Sequence, residues 1–268
     1  MDLKPNKNRK LKITVGGKTY LRFPIKTDLF QKGDSVVQKI TNFTLQYINI
    51  LKSSSKYNKL SQKKWFLVVA EKIIAIAQGR SYLIREIKPS FWARFLSGYV
   101  TKTPWGIGLG SPWTMQLAIN EKGLWRILLA AAVVVLTKPL GIRGLFYHIV
   151  GREIAAIDGP TEYSLYPSNV SAKLGPKDPE KVAKQINLSL RALAKQSQKK
   201  IASSPSAPRD DRWIKNFLGA VIIDANDLGQ KVLANSTNLD NRLIEKIFKD
   251  NPMGQADEQT PLIVVFER

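Results

Sequence analysis

The chain has 268 residues and no cysteine, which excludes disulfide bonds, thiolate zinc sites and a cysteine nucleophile. It has one histidine, so any bound metal must be held mainly by oxygen atoms. The net charge of +21 is uneven, because residues 1–157 hold 26 Lys and Arg against 7 acids, whereas residues 158–268 hold 16 against 14. The basic part favours a polyanionic partner: a nucleotide, a phosphorylated coenzyme, nucleic acid or an anionic membrane.

The first predicted elements are strands and helices in alternation. Residues 1–10 predict a flexible basic arm, and Leu11–Val15 predicts a strand that a glycine turn joins to a second strand. A helix is predicted over Ser35–Lys52. The continuous apolar run Trp65–Ala70 is typical of a fully buried strand, and a helix follows it until Gly79.

The middle of the chain is apolar and aromatic. Residues 88–113 are rich in Trp, Pro and Gly and predict a structured loop, after which Ser111 caps the start of a helix. The apolar run Ile127–Leu136 is much shorter than the ~20 residues that a membrane-spanning helix needs. It therefore predicts a buried core helix or strand. Ile154–Ile157 predicts a short strand that ends at Asp158.

The last part of the chain again alternates between the two kinds of element. A helix is predicted from Asp178 to about Lys195, and the polar stretch 196–212 predicts a flexible loop. Strand Ala220–Ile223, helix Leu239–Lys249 and strand Leu262–Phe266 follow. This alternation favours an α/β or an α+β fold.

Three groups of oxygen-bearing side chains follow apolar runs. They are Asp158, then the pair Asp224 and Asp227, and finally Gln255 with Asp257 and Glu258. Carboxylates at the ends of buried strands are rigidly placed and suit Mg²⁺ or Mn²⁺, which neutralise phosphate charge. A single Asp more often caps a helix or closes a turn. The three groups together favour a metal site.

Other patterns favour structural roles. Gly106–Gly110 lacks the spacing of a phosphate-binding loop and favours a tight turn. His148 lies beside Phe146 and Tyr147, which favours packing over catalysis. The aromatic and basic residues over 91–105 fit equally well a surface that stacks a planar ring and holds phosphate, or a core wedge with surface charge.

Several segments, taken in order, resemble the coenzyme F-420:L-glutamate ligase family, the GTP-dependent γ-glutamyl ligases of deazaflavin synthesis. The resemblance runs from about Phe23 to Phe266. The segments that carry it are Pro24–Thr27, Lys32–Asp34, Val68–Arg80, Ile157–Asp158, Ser168–Val170, Asp224–Gly229 and Met253–Gln255. Val68–Arg80 is similar to the family's V-x-x-x-K-I-V-S-K-x-E-G-R but has Ala75, Ile76 and Gln78 where the family has Ser, Lys and Glu.

The resemblance implies a single ligase-like α+β domain over residues 1–268, with mixed β-sheets and packed helices. It implies that Asp158, Asp227 (or Asp224, if the alignment shifts) and Gln255 bind a divalent metal. The implied nucleotide-binding residues are Pro24, Ile25, Lys26, Thr27, Asn169, Met253, Gly254, Asp257 and Glu258.

The implied reaction is GTP-driven activation of a carboxylate as an acyl phosphate, followed by attack of the amine of L-glutamate. Mg²⁺ or Mn²⁺ is the implied cofactor and GTP the co-substrate, and no catalytic side chain is required. The implied partners are L-glutamate, an anionic coenzyme precursor such as F-420-0 and a second copy in a homodimer. The implied location is cytoplasmic, without a transmembrane segment. Nucleic acid stays open as a partner.

Two other hypotheses remain. The chain could be a non-catalytic basic protein on the same fold that binds RNA or an anionic membrane. It could also be a different phosphoryl-transfer enzyme with the same metal cluster.

Overall fold

The computed structural model describes residues 3–100, 108–140, 145–151, 154, 157, 159, 170–202, 212–225, 229–254 and 258–268. The strands are β1 (Lys12–Val15), β2 (Lys18–Ile25), β3 (Trp65–Ala70), β4 (Ser81–Leu83), β5 (Ser171–Lys173), β6 (Phe217–Ala225), β7 (Gln230–Asn235) and β8 (Leu262–Glu267). The helices are α1 (Val36–Ser53), α2 (Glu71–Ala77), α3 (Phe91–Gly98), α4 (Pro112–Lys122), α5 (Leu124–Thr137), α6 (Leu145–Val150), α7 (Pro179–Ala202), α8 (Arg212–Lys215) and α9 (Asn241–Ile247).

The chain divides into two compact units. Unit 1 combines Met1–Ala77 with Lys177–Arg268, and unit 2 is Gln78–Pro176. Unit 1 contains a sheet in the order β1-β2-β8-β3-β6-β7. Its β3 and β6 are parallel, and the other neighbours are antiparallel. The predicted α+β fold with mixed strands and packed helices is confirmed.

The sheet of unit 1 is buried on both faces. In β3, Leu67 and Val69 pack in one core cluster with residues of α1 and α7. Phe66 and Val68 pack in a second cluster with residues of α9. Successive side chains of a strand point to opposite faces, so a strand covered on both sides must be apolar throughout. This explains why the continuous runs of β3 and β8 were correctly predicted as strands.

The first hairpin follows from two glycines. Gly16 and Gly17 join β1 to β2 with φ angles of 57° and 77°. A two-residue hairpin turn with positive φ at both positions suits the twist of the strands, and glycine adopts that conformation without a Cβ clash. The predicted turn is confirmed.

A buried arginine joins β2 to the segment after α9. The Arg22 side chain is fully buried. Its guanidinium contacts both carboxylate oxygens of Asp250 and donates to the carbonyl oxygens of Ile247, at 2.7 Å, and Lys10, at 2.6 Å. Burial raises the pKa of Asp250, but the hydrogen bonds and charge of Arg22 outweigh this effect, so the pKa lies below its ordinary value.

Unit 2 is helical, with a small antiparallel sheet of β4 and β5. In it α3 packs on α4, α4 on α5 and α5 on α6. The Ser111 hydroxyl accepts from the Thr114 N–H at 3.2 Å, which confirms the predicted cap of α4. Arg80 donates to the Gly175 carbonyl at 2.6 Å and to Glu121 at 2.9 Å, which ties the entry of β4 to α4 and to the segment after β5.

Three predictions of local structure were wrong. Residues 88–113 are not a continuous loop, because Phe91–Gly98 forms α3, which the Ser90 hydroxyl caps by accepting from the Ala93 N–H. Ile157 donates its N–H to the Ile154 carbonyl at 3.2 Å, a turn contact that a strand cannot make. The helix predicted to end near Lys195 continues to Ala202, so residues 196–202 are helical. Residues 203–211 lie outside the described residues.

The apolar run Ile127–Leu136 is helical but only partly buried. It lies within α5, where Ile127 and Ala130 are buried while Leu129, Val135 and Leu136 are exposed. The helix alternative was therefore correct, and the core position was wrong for its outer face. In the part of the chain that the structure describes, no helix is long and apolar enough to cross a membrane.

Candidate functional site

The topology of unit 1 brings several chain segments to one edge of the sheet. Strand β8 runs antiparallel to both β2 and β3, and β6 runs parallel to β3. The carboxyl ends of β2, β3 and β6 therefore lie beside the amino end of β8. In open sheets, ligands bind outside the carboxyl ends of parallel strands, because the loops there are free to diverge from the sheet.

Both neighbours of β8 hold the segment that leads into it. The Thr27 N–H donates to the Gln259 carbonyl at 3.0 Å, and the Ala70 N–H donates to the Pro261 carbonyl at 2.8 Å. The predicted nucleotide segment Pro24–Thr27 and the predicted loop before β8 are thus direct neighbours. Sequence separation alone gave no reason to expect this contact.

The loop before β8 is also held from inside. Asn251 has a φ of 43°, and Gly254 a φ of 72°. The Asn251 amide donates to the Gly254 carbonyl at 3.2 Å, and the Gly254 N–H donates to the Asn251 carbonyl at 3.1 Å. The Thr260 hydroxyl donates to the Met253 carbonyl at 2.6 Å. These bonds fix the two ends of the loop around residues 255–257.

The N-terminal segment contacts the same loop. The buried Asn6 amide donates to the Pro252 carbonyl at 3.0 Å and to the Thr260 hydroxyl at 2.6 Å. The Lys7 N–H donates to a Glu258 carboxylate oxygen at 3.0 Å. Residues of the predicted basic arm are therefore packed against the predicted nucleotide-binding loop.

Two carboxylates follow paired strand residues at this edge. Ala70, the last residue of β3, pairs with Ile223 of β6, after which Glu71 begins helix α2 and Asp224 continues β6. Carboxylate oxygens are ligands that hard divalent cations prefer. Glu71 is buried and Asp224 is half-buried. Sequence analysis missed Glu71, although it follows a buried strand directly, as Asp158 and Asp224 were noted to do.

The described members of the predicted site differ in exposure. Lys26 is exposed at the end of β2, whereas the side chains of Pro24, Ile25, Thr27 and Met253 are buried. The Ile25 side chain belongs to the core beneath the sheet. At this edge Lys26 supplies a positive charge, while Asp224 and Glu258 supply half-buried carboxylates.

Five predicted site residues, namely Asp158, Asn169, Asp227, Gln255 and Asp257, lie outside the described residues. Among the residues that are described, no group of three or more His, Asp or Glu side chains could hold a metal ion. The metal site and the roles of the nucleotide-binding residues stay predictions. A groove of about 550 Å³ between α1 and α7 has none of the predicted site residues in its lining.

Comparison with protein families matches residues 24–202 to F420-0:Gamma-glutamyl ligase, which is more than half of the chain. The chain belongs to the F420-0:gamma-glutamyl ligase family. It is therefore a member of a ligase family, and the resemblance noted from its motifs is confirmed. Comparison with curated proteins gives no match.

The F420-0:gamma-glutamyl ligase match covers only part of the predicted site. It includes Pro24–Thr27, Asp158 and Asn169, and it ends before Asp224 and the loop leading into β8. It also spans Ala75, which is completely buried in α2.

Proposed function

We propose that this chain is a GTP- and metal-dependent amide ligase, which joins L-glutamate through its amine to a carboxylate of an anionic phosphorylated coenzyme precursor such as F420-0. Family membership supports the ligase class. The observation that carries the proposal is the sheet edge, where Lys26, Glu71, Asp224 and the loop before β8 come together.

The proposed reaction has two steps. A carboxylate oxygen of the acceptor attacks the γ-phosphorus of GTP, which forms an acyl phosphate and releases GDP. The amine of glutamate then attacks the acyl carbon, loses a proton and displaces inorganic phosphate, which leaves an amide. Neither step needs a protein nucleophile, so positioning and charge compensation are the main tasks of the protein.

The donors at the edge fit a hard divalent cation, because Asp224 near the end of β6 and Glu71 directly after β3 carry oxygen ligands. Asp158, Asp227 and Gln255 are the further proposed ligands. A bound Mg²⁺ or Mn²⁺ would supply charge neutralisation of the phosphates. The exposed Lys26 attracts the same phosphates, and the buried contacts of Asn6 and Thr260 keep the loop in place.

The first test removes a proposed metal ligand. We expect isothermal titration calorimetry of GTP with Mn²⁺ to show binding by the wild type and none by Asp158→Asn. Glutamate- and acceptor-dependent GDP release should fall by at least about a hundredfold in that variant, since a charge that stabilises the transition state is lost. Asp240→Asn is the matched control, because Asn also caps a helix and Asp240 caps α9.

Failure of the wild type to bind GTP in the presence of Mn²⁺ would count directly against the ligase proposal. Salt-sensitive RNA binding without nucleotide turnover would favour the non-catalytic hypothesis instead. Release of phosphate from γ-labelled GTP without formation of an amide would indicate a different phosphoryl-transfer enzyme.

The second test perturbs the loop before β8 without replacing any proposed metal ligand. A Cβ at Gly254 would lie 2.8 Å from Glu258 Cγ and 3.0 Å from Asn6 Nδ2. We expect Gly254→Ala to displace the loop and lower kcat/KM by about tenfold to a hundredfold, as small misplacements of reacting groups do. Steady-state kinetics with GTP, glutamate and acceptor measures the effect.

Gly17→Ala is the control for this second test. Gly17 has a φ of 77°, close to that of Gly254, but a Cβ there meets nothing within 4 Å. Both variants therefore carry similar backbone strain, and only Gly254→Ala clashes with the loop. Equal kinetic losses in the two variants would show that the loop does not contribute to the site.

A further inference from the structure

Helix α5 exposes a row of large apolar side chains. Trp125 is 83% exposed, Leu129 60% and Leu136 74%. Their spacing of four and seven residues places them on one face of the helix, and we call these three residues the α5 stripe. The opposite face carries the buried Ile127 and Ala130. Such rows are rare on proteins that have no partner at that surface, because burying them is favourable.

Helix α3 of the same unit has the reverse of the usual amphipathic pattern. Its buried side chains are the small Ala93 and Ser97, whereas Phe91 is 71% exposed and Tyr99, just after the helix, 77%. Phe95 joins these two rings, with its centroid 6.0 Å from that of Phe91 and 5.1 Å from that of Tyr99. The large aromatic rings of α3 therefore lie on its exposed face, although small residues at these positions would leave the buried contacts of the helix unchanged.

The charge around these helices indicates an anionic partner. Residues 87–152 hold eight Lys and Arg and a single acid, Glu121. Glu121 is already paired with Arg80 at 2.9 Å. Arg94, Arg126 and Lys138 are exposed on or beside α3 and α5. A second copy of the chain would bring like charges together at this surface, which disfavours a homodimer through the α5 stripe.

The aliphatic side chains distinguish between anionic partners. Nucleic acid binds basic and stacks on aromatic side chains, but it has no apolar interior in which to bury Leu129, Val135 and Leu136. A bilayer offers anionic headgroups for the cations, an apolar interior for the leucines and an interfacial zone that suits Trp and Tyr. Helix α5 has 14 residues, about 21 Å in length, so it can lie in that zone.

We propose that unit 2 binds the surface of anionic lipid bilayers, with α5 lying parallel to the membrane and the α5 stripe inserted among the acyl chains. Exposed arginine and lysine side chains contact the headgroups. The aromatic residues of α3 give unit 2 a second apolar surface of the same character. This proposal is independent of the ligase activity, because vesicle binding is measured without nucleotide.

The test is flotation of the full chain with vesicles of phosphatidylcholine, with or without phosphatidylglycerol. We expect binding only when phosphatidylglycerol is present, and weaker binding at high salt. The double variant Leu129→Gln/Leu136→Gln should bind at least about tenfold more weakly, because two leucines no longer enter the acyl region. Leu188→Gln is the matched control, since Leu188 is 68% exposed on helix α7 of unit 1 and should leave binding unchanged.

A second readout places the stripe within the bilayer. Brominated acyl chains should quench tryptophan fluorescence of the wild type, and Trp125→Phe should reduce that quenching. Because the substituted side chains are exposed, circular dichroism of all variants should match the wild type. Absence of wild-type binding to anionic vesicles would overturn the proposal, and so would equal binding by the double variant.

Two further outcomes would assign the α5 stripe to another occupant and overturn the membrane proposal. One is a wild-type dimer in analytical ultracentrifugation that the double variant converts to monomer, with no vesicle binding. The other is binding of a single-stranded RNA that the double variant weakens, again with no vesicle binding.

Discussion

Replacing Arg22 with methionine is expected to lower the free energy of unfolding by about 3–5 kcal/mol, because one partner of a buried ion pair is lost while Asp250 stays partly buried. The substitution also leaves the Lys10 and Ile247 carbonyls without their arginine donor. Methionine keeps much of the side-chain volume, so charge and hydrogen bonding are what change. Urea unfolding followed by circular dichroism measures the effect.

Lys18→Met on the same strand is the matched control. Lys18 pairs with Glu267 on the surface, with 62% of its side chain exposed, so its loss should change stability little. The pH dependence gives a second check. The pKa of Asp250 is lowered in the folded state. Its contribution to the free energy of unfolding is therefore present above its unfolded pKa and is lost as the pH falls through the folded pKa. The difference in stability between wild type and Arg22→Met should narrow in acid.

Equal losses of stability in the Arg22 and Lys18 variants would contradict the expectation.

Gly219→Ala is the second substitution with a large expected effect. A Cβ at Gly219 would lie 2.6 Å from the Ser236 carbonyl oxygen and 2.9 Å from its carbonyl carbon, and the backbone φ of 146° disfavours any other residue. Both atoms belong to the backbone of the chain beside β6, so rotation of a side chain cannot relieve the clash. We expect a loss of about 2–5 kcal/mol in the free energy of unfolding.

Gly17→Ala separates the clash from backbone strain. Gly17 also has a positive φ, but a Cβ there meets nothing within 4 Å. Gly17→Ala should therefore lower the free energy of unfolding by only about 1 kcal/mol. Hydrogen exchange should show faster exchange in β6 and β7 of Gly219→Ala, because the Ser236 hydroxyl and N–H both bond Ala220 at 2.9 Å. Equal stability of the two alanine variants would show that Ser236 moves away without cost.

The sequence predicted those strands and helices that have a continuous apolar run or a clear capping residue. Trp65–Ala70 is apolar on both faces of the sheet, and Ser111 followed by Pro112 begins α4. Helix α3 was missed because its aromatic residues lie outside and its small residues inside, so hydrophobic spacing gave no reliable periodicity. Helix α5 is apolar over most of its surface, with Arg126 as its one charged residue, so hydrophobic spacing did not distinguish its exposed side from its buried one.

The sequence indicated where acids follow strands but not how the strand ends are arranged. Asp224 lies near the end of β6, as the apolar run before it predicted, and its role in a site stays a prediction. The insertion of β8 between β2 and β3 follows from long-range pairing that chain order does not specify. That insertion puts Thr27 beside Gln259. The separate β3–β6 pairing brings the residues that precede Glu71 and Asp224 together. Glu71 was overlooked as a candidate ligand, although the sequence shows that it directly follows the apolar run of β3.

The central place of β8 also determines when unit 1 can fold during translation. The strands β2 and β3 have no direct pairing, and residues 262–267 connect them. Residues 262–267 must therefore leave the ribosome before the sheet closes, and residues 78–176 emerge before that moment. Nascent β2 and β3 each keep an unpaired edge until then, and such edges are prone to pair with other chains.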